Sequence, residues 1–470
     1  MRKFEPHARH TWGAAQAWLL RAEITPMADP SASAHRTACC PMPSHVATLL
    51  AALDTSGPQS VGQFGRFQLR SAFQPIYSLS HMRLVGHEAL VRAQDENGQP
   101  VPPPTLFAAC RDAAELAHCD RLSRLVHLSN HHRQGRQGEW LFLNLHPDVF
   151  TRLASEEPRG YLRQVADHFR LAPDNLVLEL LESQVHESDA FTEAVARARH
   201  DGALIAIDDF GAGHSNFDRV WRLQPDIVKL DRGLVARGAR EPRIRRVVAQ
   251  MVSLLHECGA MVLMEGIETP EEAMMALECD ADLVQGYHFG RPQAELMPAR
   301  HMPATLQACY EGLSQKRARQ RQTHREQVAP YLNAIGHAGV LLSAGRGIQE
   351  ACRSFLSLPG AEFCYVLDAR GYQIGHNLWA AEDRPKKGAL LGPLDDAQGA
   401  CWSRRPYFRR AMEAINRVQI TRPYRTMNGR HQCMTASMAF RCLHDGVEEI
   451  RVVCGDVRWD EASPAPAIMP

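Results

Sequence analysis

Two adjacent aspartates close the apolar run Ile205-Ala206-Ile207, and glycines follow at once in Asp208-Asp209-Phe210-Gly211-Ala212-Gly213. A short β-branched run reads as a buried strand. Carboxylates at its end cannot enter an apolar core unpaired, since burying a bare charge costs on the order of several kcal/mol. They must face water, a cation or a metal. As strand neighbours their side chains diverge and can serve two different ions. Gly211 and Gly213 permit a tight, mobile loop. On this stretch alone, a solvated acidic turn explains the residues equally well.

Similar residues close other short apolar runs. Glu88 lies in Gly86-His87-Glu88-Ala89-Leu90 and Asn144 in Phe142-Leu143-Asn144-Leu145. Glu179 and Glu182 end Leu178-Glu179-Leu180-Leu181-Glu182, and Lys229 lies in Ile227-Val228-Lys229-Leu230-Asp231. Glu265 and Glu268 follow Met264, and Gln285 precedes Gly286-Tyr287. Singly, each has an ordinary reading as a cap, a turn residue or a loop ion pair. Jointly, at one end of successive strands, they point to a single mouth. The set Glu88, Asn144, Glu179, Asp208, Asp209 and Glu265 offers hard oxygen donors, which favour Mg²⁺ or Mn²⁺ over Zn²⁺. Five carboxylates exceed the needs of one Mg²⁺ and suit two ions about 3.5–4 Å apart, an arrangement that activates water against a phosphodiester. Lys229 would then stand near that water. It can orient the water or, with a depressed pKa, accept its proton. No Ser-His-Asp arrangement, Gly-x-Ser-x-Gly elbow or phosphate-cradling loop competes.

The elements that must position these residues alternate. Candidate strands at 71–76, 84–92, 140–145, 175–181, 203–208, 226–230, 261–265 and 283–285 are separated by helical stretches at 104–110, 116–132, 160–169, 189–200, 243–258 and 270–277. Eight such runs over ~240 residues have the rhythm of a parallel (β/α)8 TIM-like barrel, whose strand ends converge on one mouth. A doubly wound open sheet fits the same alternation.

Composition sets outer bounds. The 470 residues suit two domains. Lys plus Arg and Asp plus Glu both number 53, so no basic field argues for a nucleic acid polymer as partner. The 13 cysteines form no regular framework, which fits reduced thiols. No uncharged apolar run of membrane-spanning length exists, and the start, interrupted by Arg21 and Glu23, does not read as a signal peptide. Residues 1–62 carry scattered prolines and read as a flexible extension with one short helix at 44–53. Cys39-Cys40 with His35 and His45 lacks the usual two-residue gap of a metal site.

Over residues 65–305 the chain resembles the EAL-domain phosphodiesterases, which hydrolyse cyclic di-GMP to linear pGpG. The motifs that carry the resemblance are Phe73-Gln74-Pro75-Ile76, Glu88-Ala89-Leu90-Val91-Arg92, Phe142 to Leu145, Glu179-Leu180-Leu181-Glu182, Asp208 to Gly213, Val228-Lys229-Leu230-Asp231, Glu265-Gly266-Ile267-Glu268 and Gln285-Gly286-Tyr287. The resemblance implies that Glu88, Asn144, Glu179 and Asp208 hold one metal, that Asp208 bridges to a second, and that Asp209 and Glu265 complete it. It implies catalytic roles for Glu88, Lys229 and Glu265, and substrate contacts from Gln74, Leu90, Arg92, Gln285 and Pro292. Glu182 and Glu268 would stabilise loops, Glu182 acting on the loop 210–216 that the family ties to dimerisation. His146 replaces the usual Ser, and His214 and Asn216 replace the frequent Tyr and Ser, but no metal ligand is lost. No cyclase-type Gly-Gly-Asp-Glu-Phe sequence is present.

Beyond the barrel region at 63–305, residues 306–332 are polar and basic and read as a solvated connecting helix able to pair with itself in a homodimer. From 333 to 462 the pattern becomes α+β: a helix at 347–356, a hairpin over 363–374, and strands at 432–440 and 448–456, followed by a tail at 463–470. With Cys401-Trp402-Ser403-Arg404-Arg405-Pro406-Tyr407-Phe408, this region resembles a PAS-like, Cache-type sensor domain. The resemblance implies a small-ligand pocket at Trp402, Arg405 and Tyr407, suited to a carboxylate or phosphate. Trp402, Tyr407 and Phe408 packing the core, with Arg405 pairing locally, explains the same residues equally well. The whole reads as a cytoplasmic, metal-dependent cyclic di-GMP phosphodiesterase under a C-terminal sensor, or alternatively as a non-hydrolytic cyclic di-GMP receptor.

Overall fold

The computed structural model describes residues 44–135, 138–146, 149–150, 161–182, 189–213, 217–298, 303–380, 397–425 and 432–459. Cys39-Cys40, His35, the loop residues His214 and Asn216, and the tail from 463 lie outside them.

Eight strands of the first unit's sheet build its barrel: β1 (Phe67–Ser78), β2 (Arg83–Gln94), β3 (Trp140–Asn144), β4 (Leu176–Leu181), β5 (Leu204–Phe210), β6 (Ile227–Leu230), β7 (Met261–Met264) and β8 (Leu283–Val284). They pair in the order β1-β8-β7-β6-β5-β4-β3-β2, and the β1–β2 ladder closes the sheet into a barrel. The open doubly wound sheet is thereby excluded. Strands alternate faces with a period of two. Ile76, Phe142, Val177, Ala206, Ile227, Leu263 and Leu283 pack together as one cluster, all but Leu283 wholly buried. They plug the barrel interior. One period further along, β3 to β6 and the residues just after β7 and β8 carry Asn144, Glu179, Asp208, Lys229, Glu265 and Gln285. The polar residues thus form the next layer above an apolar floor.

The expectation of an all-parallel barrel needs correction. β1 runs antiparallel to both neighbours, β2 and β8. The connection of residues 79–82 is too short for a parallel crossover, and it turns at Met82 with φ +50°. Because β1 runs in reverse, Gln74 reaches the mouth two residues before, not after, its floor residue Ile76, and pairs directly with Glu88 of β2.

The expected flexible extension also ends too late. Residues Ser44–Ala51 are helical, Leu53–Asp54 pairs with Val61–Phe64, and that strand continues onto β1. Ser60 is fully buried and donates its N–H to Oδ1 of Asn130 at 2.6 Å. Helix α1 (Ala113–Arg133) carries Asn130. Among the described residues of the barrel, two helices escaped the sequence pattern, α2 (Phe217–Leu223) and α3 (Arg232–Arg240), the latter capped by the Asp231 carboxylate on the N–H groups of Gly233 and Leu234. After β7 comes α4 (Pro270–Glu278), opened by a capping box between Thr269 and Glu272.

The polar stretch after the barrel is one continuous helix, α5 (Ala304–Ser343), longer than the 306–332 expected. Its first half rests on the barrel, where the Tyr310 hydroxyl donates to Leu79 O at 2.6 Å and Lys316 pairs with Glu278. Its second half belongs to the second unit, where the Tyr331 hydroxyl donates to Pro359 O at 2.6 Å. That unit is an antiparallel sheet of β9 (Ala361–Leu367), β10 (Gln373–Trp379), β11 (Val418–Ile420), β12 (Tyr424–Arg425), β13 (Gln432–His444) and β14 (Val447–Trp459), ordered β10-β9-β14-β13-β11 with β12 on β13. The expected helix at 347–356 is two short turns of helix, Ile348–Ala351 and Arg353–Leu356, meeting at Cys352. None of the described cysteines is bridged. Among the described residues, no helix is long and apolar enough to cross a membrane.

Candidate active site

Lys229 is the hub of the mouth. It is fully buried, and its Nζ lies 2.5 Å from Oε1 of Glu179, 2.5 Å from Oε1 of Glu265, 3.1 Å from Oδ1 of Asp208 and 3.7 Å from Oε2 of Glu88. Glu88 is held on both oxygens: Asn144 Nδ2 donates to Oε1 at 3.0 Å and Gln285 Nε2 to Oε2 at 2.7 Å. Gln285, expected to touch substrate, is therefore engaged with Glu88 and is 2 % exposed. Gly286 makes this approach possible, since a Cβ there would sit 2.1 Å from the carbonyl oxygen of Ile267.

Asp209 reaches the mouth by a different route. Strand alternation would turn it outward. Instead the β5–β6 register shifts between Ile207 and Phe210, and Asp209 adopts φ +57°, a left-handed conformation that costs a non-glycine residue energy. Its N–H donates to Oδ1 of Asp208 at 2.9 Å. One carboxylate oxygen each from Asp208, Asp209 and Glu265 then lie within 4.8 Å of one another.

Four carboxylates around one ammonium leave the mouth acidic. Burial, and then the charge of Glu88, push Glu179 well above the usual carboxylate range, with Lys229 opposing. Burial likewise lifts Glu265 well above it, again against Lys229. Asp209 is raised by burial and by Asp208. For Lys229, burial works against the charge, but Asp208, Glu179, Glu265 and Glu88 override it and hold the ammonium well above its ordinary value. In the metal-free mouth this surplus of carboxylates favours the charged ammonium over a depressed lysine pKa. Among the described residues, none donates a hydrogen bond to the buried Oε2 of Glu179. An oxygen-only cluster with excess negative charge and such an atom fits hard divalent cations.

Beside this cluster opens a cleft of about 330 Å³. Glu88, Leu90, Arg92 and Asn144 line it, joined by Asp120 and Arg124 of α1. Gln74 borders the mouth and donates weakly to Gly290 O at 3.4 Å. Pro292 follows on a segment that pairs with β1 through Phe73 and Gln293. Glu268 pairs with Arg232 at 2.9 Å, and Glu182 with Arg219 of α2 at 3.7 Å, just beyond the loop 210–216. In the second unit, Trp402 Nε1 donates to Gln373 Oε1 at 3.1 Å, and Arg405 precedes α6 (Pro406–Glu413). Tyr407 is buried, its ring centre 6.4 Å from that of Tyr365.

Sequence reasoning missed Asp120 and Arg124. They form a buried ion pair at 2.6 Å, and Asp120 Oδ1 accepts the His146 N–H at 3.3 Å, two residues beyond Asn144. The available signal was an Asp and an Arg at i, i+4 among Leu122, Leu125 and Val126, on a helix face that must pack.

Residues 62–292 match the EAL domain family. The cyclic di-GMP phosphodiesterase RocR of Pseudomonas aeruginosa is 28% identical over 240 residues, which is 50% of this chain and 59% of RocR. The probable cyclic di-GMP phosphodiesterase PdeN of Escherichia coli is 26% identical over 239 residues, 48% of this chain and 44% of PdeN. The chain thus spans about half the length of these relatives. The crystal structure of Bacillus subtilis YkuI, which has an EAL domain and is in complex with substrate c-di-GMP and calcium, superposes with a TM-score of 0.69 at 17% identity. It covers 83% of this chain and 96% of YkuI, so the likeness in fold extends past the barrel into the second unit.

Proposed function

We propose that this protein hydrolyses cyclic di-GMP to linear pGpG in the barrel mouth, with two divalent cations, and that the C-terminal unit acts as a sensor. The observation that carries the reading is the convergence of Glu88, Glu179, Asp208 and Glu265 on Lys229 in one buried polar layer. Support comes from the EAL match over the same residues and from the names of RocR and PdeN.

In this reading Glu88, Asn144, Glu179 and Asp208 hold one Mg²⁺ or Mn²⁺, and Asp208, Asp209 and Glu265 the other. The cations supply charge stabilisation for the attacked phosphoryl group and an activated water. The chain's own contribution is positioning. Gln285 and Asn144 fix both oxygens of Glu88. Lys229 orients the nucleophilic water and, as an ammonium, offsets charge at the phosphoryl oxygens. Arg92, at the cleft lip, meets a phosphate of the dinucleotide, with Leu90, Gln74 and Pro292 beside the bases. A homodimer would use the loop 210–216 and α5.

The test is incubation of purified protein with cyclic di-GMP and Mg²⁺ or Mn²⁺, with chromatography for pGpG. Product formation supports the hydrolase. Tight binding with no product over hours overturns it in favour of a receptor. Turnover of other phosphodiesters alone would mean a different substrate.

A further inference from the structure

The C-terminal sheet has two unlike faces. Residues directly opposite across antiparallel strands share a face, so the register sorts them. One face is apolar. Cys364, Met434, Met438 and Val453 pack there with Ile335 and Ala338 of α5. On the other face Asp456 of β14 stands between Phe363 of β9 and Thr435 of β13. In the next rung Tyr365 and Ser437 flank Cys454.

Asp456 is the anomaly on this face. It is 4 % exposed, and its Oδ1 accepts the Thr435 hydroxyl at 2.8 Å, while the Tyr424 hydroxyl lies 2.6 Å from Thr435 Oγ1. Among the described residues no cation pairs with it. Arg458, next along the same face, pairs with Glu362 at 3.5 Å. A carboxylate so placed is costly, and an amide or hydroxyl would satisfy Thr435 without that cost. Its charge has a use only where something cationic meets it. The surroundings match such a guest. The Phe363 ring lies 4.6 Å from Trp379 and 5.8 Å from Tyr365, centre to centre. Phe363, Trp379 and Tyr424 are part-exposed, whereas Tyr365 and Cys454 pack with Tyr407, Phe408 and Ala411 of α6, which leaves the Phe363 edge as the approach to Asp456. Aromatic rings beside a carboxylate recognise an organic cation by charge and by cation–π attraction together.

We propose that this face of the C-terminal sheet, at Asp456, Thr435, Phe363 and Tyr365, binds a small organic ammonium ion with Asp456 as its counter-charge. This deepens the sensor reading and rests on it for its consequence in the barrel. The binding itself is independent of any hydrolysis.

The probe is choline, whose charge does not titrate, added to the full-length protein at about pH 8 without cyclic di-GMP and followed by calorimetry. Saturable binding is expected, weakened at least about tenfold in Asp456→Asn and weakened in Phe363→Leu. Burial pushes Asp456 up to about 7. Binding should therefore weaken as pH falls from about 8 to 6, since a protonated Asp456 cannot pair with choline. Among the described residues, the other ionisable groups around Asp456 are Glu362, Arg458, Tyr365, Tyr407, Tyr424, Cys433 and Cys454. Burial holds both thiols and all three phenols above their ordinary values, so they stay neutral over this range. No saturable binding to the wild type, equal affinity in Asp456→Asn, or binding unchanged with pH would overturn the proposal. Should Asp456→Asn fail to fold by circular dichroism, Phe363→Leu and the wild-type pH series decide. Choline that binds without altering pGpG formation keeps the site and counts against the sensor reading alone.

Discussion

Oε1 of Glu179 lies 2.5 Å from Nζ of Lys229, and both groups are buried in the polar layer directly above the barrel plug. The lysine is the counter-charge of the cluster as well as a candidate catalytic group. Lys229→Met is therefore expected to do two separable things. Turnover should fall by about 100-fold or more, the scale of losing a group that positions and stabilises reacting atoms. The metal-free protein should also melt earlier, because Glu179 and Glu265 would stay buried without their cation. Chromatographic pGpG assays and thermal melts with a chelator read the two effects. Wild-type turnover in Lys229→Met would remove the lysine from the mechanism.

Glu88 is the carboxylate with the most protein support, with an amide on each oxygen. Glu88→Ala should abolish detectable pGpG formation while leaving the fold intact by circular dichroism. Gln285→Leu, which strips the 2.7 Å bond from Oε2, should give an intermediate loss with Glu88 still present. Full activity in Glu88→Ala would sink the metal assignment.

Cation binding has a readout that needs no turnover. A ligand that binds only the folded state at a hundredfold excess over Kd stabilises it by about 2.7 kcal/mol. Mg²⁺ or Mn²⁺ should raise the melting temperature of chelator-treated protein, and Asp208→Asn should largely remove the gain. An equal rise in Asp208→Asn would place the ions elsewhere.

Much of this site was readable before any fold was known, because acids that end apolar runs are anomalous at the single-residue level. Asp208 and Glu179 announce themselves in that way. The direction of β1 did not, since a strand buried on both faces has the same pattern whichever way it runs. Nor could Asp209's approach be read. It depends on a bulge and a φ of +57°, and no side-chain pattern encodes either one. The resemblance assigns Gln285 to the substrate, and its bond to Glu88, 197 positions away, leaves no local signal in the sequence. The helices α2 and α3 hid behind arginines and short length, with Asp231 doubling as strand end and helix cap.

The raised carboxylates predict a pH dependence with a definite sign. Glu179 and Glu265 are pushed above their ordinary values near 4.5 in the folded state. Groups shifted upward on folding contribute stability that is complete below the unfolded pKa and is lost as pH rises through the folded one. Chelator-treated wild type should thus lose stability relative to Glu179→Gln as pH rises above about 4.5. Melts of both proteins at intervals across the acid-to-neutral range check this. A constant difference across that range would contradict the raised value for Glu179.

The Asp120–Arg124 pair tests the wall of the cleft. Both side chains are nearly wholly buried, and Asp120 also takes the His146 N–H, which fixes the turn after Asn144. Removing one partner leaves the other charge buried, so Asp120→Ala should destabilise by about 3–5 kcal/mol. Replacing both, as Asp120→Leu with Arg124→Met, should recover most of that stability, because the desolvation cost of two charges disappears with them. Recovery of stability should not bring full recovery of activity. The His146 amide would still lack its acceptor, and Asn144, which donates to Glu88 at 3.0 Å, would lose its fixed turn. Urea unfolding combined with pGpG assays on the two variants separates the effects. Full activity in the double variant would mean that Asp120 only packs the helix and does not position Asn144.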